Sequence, residues 1–210
     1  MERSRLTDDA QEPEPEIGPL QWVSVDTDDC QQVHLLDCRS IALTMMSTTQ
    51  DADVAASFSH LRVSDGRQHV GQMPPDPTAI DCLLEYEGWP LREGPLFKAD
   101  EMEDKWDIYQ WNGQLYAVRS WTDDLIITAD LSVQGTNASI RRIVAAADRV
   151  FGDAAFAVRT LDFLIESHVF GRECPHPLPA AYLGRAPDDL ALFSFSQFGR
   201  RGLYGIFAGA

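Results

Sequence analysis

The pair Asn112-Gly113 stands between two runs rich in Trp, Tyr, Ile, Leu and Val. Both central residues of a two-residue type I′ turn need positive φ, which Asn and Gly tolerate best. The pair therefore predicts a Trp-rich antiparallel hairpin over about 104–121 and fixes its register. Trp111 falls opposite Gln114, Tyr109 opposite Tyr116, Asp107 opposite Val118, and Lys105 opposite Ser120. Trp106 then falls opposite Arg119, and Asp104 opposite Trp121. Cross-strand partners share a face, so Asp104, Trp106, Arg119 and Trp121 are expected to line one side, with Asp104 on a diagonal within reach of Arg119. The guanidinium would lie against an indole. Such an arrangement either pins strand register or holds an arginine rigid for an anion.

Around the hairpin the pattern is α+β, with a mainly antiparallel sheet. Short strands are expected near 22–25, 33–36 and 39–46, and a third strand beside the hairpin at 125–129. A helix is expected from about Asp51 to Leu61, after the cap-forming cluster Ser47-Thr48-Thr49. Asp76-Pro77 reads as a helix start ended by Gly88, with a strand over Ile80–Tyr86 as the alternative. Two C-terminal helices follow, at about 138–151 and 155–169; the first rests on the spacing of Ile140, Ile143, Val144, Ala147 and Phe151. Leu190–Ser196 and Leu203–Phe207 read as closing strands. Residues 1–19, acidic and proline-bearing, read as a disordered tail, and 20–210 as one α+β domain; any subdivision falls near 90–97.

A net charge of −16 argues against a nucleic-acid backbone or an anionic membrane as partner, because both are recognised by cations. It suits a basic protein partner, steered by the field. The chain opens on polar, acidic residues, and no apolar run is long enough to span a bilayer. Cys30, Cys38, Cys82 and Cys174 have no framework spacing, so reduced thiols and a cytoplasmic location are expected.

Several groups are candidates for chemistry. Asp100, Glu101, Glu103 and Asp104 form an acidic run that suits either a hard cation or a solvated edge. His168, Cys174 and His176 are the nearest approach to a metal set, but His168 stands on an apolar helix stripe and reads better as a core histidine. His34 and Cys38 share a strand face, a pattern short of an activated thiol. No Gly-x-Ser-x-Gly elbow and no phosphate loop occurs. Ser47-Thr48-Thr49 and the glycine-flanked Arg200-Arg201 each suit an anion. No cofactor is indicated.

Met102-Glu103-Asp104-Lys105-Trp106, followed by Leu115-Tyr116 and Arg119-Ser120-Trp121-Thr122, resembles a hairpin found in a group of small uncharacterised bacterial proteins. Their pattern runs M-E-D-K-W-F and then L-Y-F-H-R-S-W-T-G. The likeness covers about a tenth of the chain and departs at Asp107, where the pattern has an aromatic, and at Asp123, where it has glycine. It implies a hairpin module and carries no activity.

Two functions follow as expectations, beside a structural or assembly subunit with an apolar patch closed by symmetry. One is a non-catalytic protein-binding protein, an immunity or antitoxin-like partner or an adaptor, using an exposed aromatic hairpin. The other is an enzyme acting on an anionic small molecule through Arg119, with Arg200 or Arg201 orienting the substrate. The binding residues under either reading are Asp104, Trp106, Arg119, Trp121, Arg200 and Arg201.

Overall fold

The Asn112-Gly113 reversal forms as expected, with both residues at positive φ. Strands β5 (Trp106–Trp111) and β6 (Gln114–Arg119) pair in the predicted register, Trp106 opposite Arg119 and Tyr109 opposite Tyr116. The computed structural model describes residues 17–26 and 32–207. The expected acidic tail, up to residue 16, and most of the turn expected at 26–29 lie outside the described residues.

Before the hairpin come β1 (Gln21–Asp26), β2 (Gln32–Asp37), α1 (Arg39–Ala42), α2 (Ala52–Leu61), β3 (Pro77–Glu87) and β4 (Gly94–Phe97). After it come β7 (Leu125–Gln134), β8 (Asn137–Ala146), α3 (Ala154–Leu164), β9 (His176–Leu178), α4 (Pro187–Phe198) and β10 (Tyr204–Phe207). A π-helical segment, Ile165–Val169, extends α3. A six-stranded sheet runs β3-β8-β7-β6-β5-β4 and is antiparallel throughout. A four-stranded sheet runs β1-β2-β10-β9, with β9 parallel to β10. The fold is therefore α+β. Among the described residues no helix is long and apolar enough to cross a membrane.

The hairpin is interior to its sheet and nearly every side chain on it is buried. Its aromatic rings are core, each worth roughly 1.5–3 kcal/mol of burial, and do not form an exposed platform. Trp106, Ile108, Leu115 and Ala117 join one apolar cluster that also takes in Leu36, Leu161, Leu178, Phe198 and Phe207. Tyr109, Trp111, Tyr116, Val118 and Leu125 form a second, smaller one.

Asp107 is buried and its side chain has a full set of partners. It accepts from the guanidinium of Arg62 through both oxygens at 3.1 Å, from Lys98 Nζ at 3.0 Å and from the Ala99 amide at 2.8 Å. The network ties the end of α2 to β5.

Four expected elements take another form. The helix expected over 138–151 is strand β8. Ile140 and Ile143 both face the core because the register against β7 shifts between Ala129 and Leu131, where β8 passes from Ile143 to Ile140. That irregularity turns a period of two into a spacing of three, which mimics a helix in sequence. The helix expected after Asp76 is strand β3; Asp76 sits at positive φ instead of capping, and the alternative reading of Ile80–Tyr86 holds. The strand expected over 190–196 is α4, started by Pro187 at its first position with Asp188 and Asp189 in the first turn. The strand expected at 39–46 gives way to α1, because Asp37 Oδ1 accepts from the Arg39 amide at 3.1 Å and reverses the chain. The helices expected near 51–61 and 155–169 form, each capped by an aspartate, Asp51 and Asp153.

Candidate functional site

Trp106 and Arg119, paired across the hairpin, converge on the C-terminus of α4. Trp106 Nε1 donates to Gln197 O at 2.6 Å, and Arg119 donates to Gln197 O at 2.9 Å and Ser196 O at 2.8 Å. The guanidinium lies 4.9 Å from the Trp106 ring centroid. The last carbonyls of a helix lack intrahelical donors and carry partial negative charge, so a cation and an indole N–H satisfy them well. This contact fixes α4 against the hairpin.

Beside it opens a cleft of about 560 Å³. Met45, Met46, Trp121 and Phe195 give it apolar walls. Met46 is 77% exposed, unusual for a large apolar side chain beside a groove. Three cations reach the lining, Lys105, Arg119 and Arg149, against one carboxylate, Asp124. Asp124 is already engaged: it accepts from Thr122 Oγ1 at 2.7 Å and from Arg149 at 3.4 Å. A smaller recess of about 340 Å³ shares Arg119 and Arg149 and adds Ile126, Phe151 and Gln197.

Lys105 is the most constrained of the cations. Its Nζ donates to Met102 O at 2.8 Å and to Ser47 Oγ. Nζ lies 4.7 Å from the Trp121 ring centroid and 5.0 Å from that of Phe195. Trp121 Nε1 donates to the same Met102 carbonyl at 2.8 Å, and Glu103 Oε1 accepts from the Ser47 amide at 2.8 Å, so the 45–48 segment is clipped onto the hairpin's entrance. Burial, and then Arg119 nearby, pushes the Lys105 ammonium down to about 8, with Glu103 and Asp104 opposing. Burial, and then Arg149, pushes Arg119 down to about 10.

Of the residues singled out in sequence, Arg119 and Trp121 line this cleft, and Trp106 lines the adjoining recess. Asp104 does not pair with Arg119. It is buried and faces Arg201 instead, Nε to Oδ1 3.8 Å, and burial raises its pKa. Arg201 donates to Ser167 O at 2.6 Å, and Arg200 pairs with Glu101, so these arginines border a separate recess of about 260 Å³ next to Cys174. Ser47 and Thr48 line the cleft, ahead of α2 and outside its cap, Asp51.

His168, Cys174 and His176 are not gathered. His176 is fully buried, its Nε2 2.7 Å from Ser194 Oγ, and burial pushes it down to about 3. His168 contacts Ser167 Oγ through Nδ1 at 2.6 Å. Among the described residues no three His, Cys, Asp or Glu side chains are placed to hold a metal ion. His34 bonds to Ser24, away from Cys38, whose thiol burial pushes up to about 11.

Lys105, Arg149, Phe195 and the two methionines are site residues that the sequence did not single out. Lys105 stands inside the Met102–Trp106 motif and was open to notice there; the others come from distant segments with no shared pattern. Comparison with protein-family models, curated proteins and solved structures finds no match to this chain.

Proposed function

We propose that the cleft beside Trp121 is a binding site for a small organic anion with an aromatic or aliphatic body, and that the protein acts by binding it. One observation carries this reading: in a chain of net charge −16, three cations gather at one groove and stand next to Met45, Met46, Trp121 and Phe195. The apolar walls suit the body of the ligand, and Lys105, Arg119 and Arg149 suit its carboxylate or phosphate. Binding is favoured over turnover because, among the described residues, the lining offers no acid–base pair and its one carboxylate is committed to Arg149 and Thr122. A basic protein docking on an aromatic hairpin has less support, because Trp106, Tyr109, Trp111 and Tyr116 are buried and Trp121 is the hairpin ring left partly exposed.

The test is a fluorescence titration with benzoate, phenyl phosphate and the neutral isostere benzamide. The anions should quench tryptophan emission saturably, and benzamide should bind much more weakly. Arg149 is half-exposed and holds no helix end, so Arg149→Gln leaves the fold intact. It should weaken anion binding by about three- to tenfold. Equal binding of benzamide and benzoate, or no saturable binding of either anion, overturns the reading.

A further inference from the structure

The chain meets its need for cations with fifteen arginines and only two lysines. Neither lysine is a surface charge. Lys98 is tied to Asp107, Tyr109 Oη and Leu61 O, a structural junction with three acceptors. Lys105 is different: it lines the cleft, and its ammonium nitrogen has two acceptors, Met102 O and Ser47 Oγ. An ammonium needs three acceptors, whereas a neutral amine with two N–H bonds is fully satisfied by two and keeps its lone pair free. Arginine would supply the same charge, the same ring contacts and a better anion fork, but no nucleophile. Lys105 is thus the one lysine in the described lining of a groove that also takes Arg119 and Arg149, with Trp121 and Phe195 on either side of its amine.

We infer that Lys105 captures a carbonyl group on the anion bound in this cleft, forming an imine with an aldehyde or ketone of the bound acid. This rests on the anion-binding reading and adds the substrate class to it: small carboxylates or phosphates that also carry a free carbonyl. The amine lone pair forms the C–N bond while the carbonyl π pair moves to oxygen, which takes a proton from water in the open cleft. The nitrogen then gives up its two protons as the oxygen leaves as water and the C=N bond closes. One amine and one carbonyl give one imine and one water, and no oxidant or reductant enters. Arg119 and Arg149 hold the acid group, so the carbonyl is delivered to the amine at high effective concentration. The depressed ammonium pKa of about 8 supplies the neutral amine near neutral pH. An ordinary lysine has only about a thousandth of its population neutral there.

The probe is 4-formylbenzoate, an aromatic acid carrying an aldehyde, followed by borohydride reduction, intact mass and peptide mapping on the full chain. The expected result is a single adduct at Lys105, formed at least about tenfold faster than on Lys98 or on free Nα-acetyl-lysine added to the same solution. Its rate should rise with pH through about 8. Excess benzoate should suppress it. Lys105→Arg keeps a cation in the groove and should abolish trapping; because Lys105 also faces the acid group, benzoate quenching should weaken by no more than about tenfold and stay saturable. Lys105→Met serves as the second variant should the arginine fail to fit. Saturable binding of 4-formylbenzoate with no adduct at Lys105, or labelling spread evenly over both lysines, overturns the imine and leaves anion binding standing. Absence of both binding and trapping overturns the two together.

Discussion

Lys105 carries a charge that its surroundings oppose, and the opposition is readable in stability. In the unfolded chain its ammonium titrates near 10.5; in the folded protein burial and Arg119 bring it to about 8. Between those values the unfolded chain holds the extra proton, so the folded state gains stability as pH rises from 8 toward 10.5. Below 8 the cost is present in full. Lys105→Met removes this titration and leaves every other group in common. The stability difference between the two proteins should therefore shift toward the native chain across that window, measured as urea midpoints at several pH values. A difference flat with pH would mean that the amine titrates as an ordinary surface lysine.

The joint between α4 and the hairpin is the element that gives the cleft its shape. α4 ends at Gly199, whose φ of 60° and ψ of −140° suit glycine alone. A Cβ there would stand 1.6 Å from Glu103 O, so helix end and hairpin entrance meet backbone to backbone. Gly199→Ala should destabilise the protein by at least about 3 kcal/mol and release Ser196 and Gln197 from Arg119 and Trp106. Chemical denaturation checks the first, and loss of benzoate quenching in the fraction still folded checks the second. A variant within about 0.5 kcal/mol of the native chain would remove this joint from the account of the site. The hairpin that meets α4 was legible from its turn, through each pair from Trp111–Gln114 to Trp106–Arg119, because Asn-Gly specifies local geometry; the expected pairs Lys105–Ser120 and Asp104–Trp121 fall beyond the strands. β8 and α4 were not. In β8 an irregularity in register rewrote the period from Ile140 to Ile143, and only the partner strands reveal it. In α4 the apolar run Leu190–Ser196 has no period of its own, and the start signal at Pro187-Asp188-Asp189 decides the matter. The candidate site was half legible: Arg119 and Trp121 follow from the hairpin, whereas Arg149, in the turn after β8, and Phe195, on α4, reach it from two of the four elements whose type was misread.

At the scale of the whole molecule, the cleft's three cations sit inside a field of net charge −16, and the two act on an anion over different distances. At about 0.01 M ionic strength the screening length is roughly 30 Å, so an approaching anion meets the repulsion of the entire surface. At about 0.15 M it is roughly 8 Å, which removes most of that repulsion while the cations in the groove, a few ångströms from the bound group, still act. Association of benzoate or 4-formylbenzoate should therefore speed up as salt is raised over this range, opposite to the slowing seen when a ligand is steered by complementary charge. Dissociation should quicken too, because screening also weakens the contacts to Arg119 and Arg149. Stopped-flow tryptophan quenching separates the two rates. Arg149→Gln should alter mainly dissociation, since one cation changes the long-range field of so acidic a chain very little. If association instead slows as salt rises, local positive potential reaches out beyond the groove and governs the encounter. The cleft would then be a steering funnel, and the acidic remainder of the surface would have no part in selecting what reaches it.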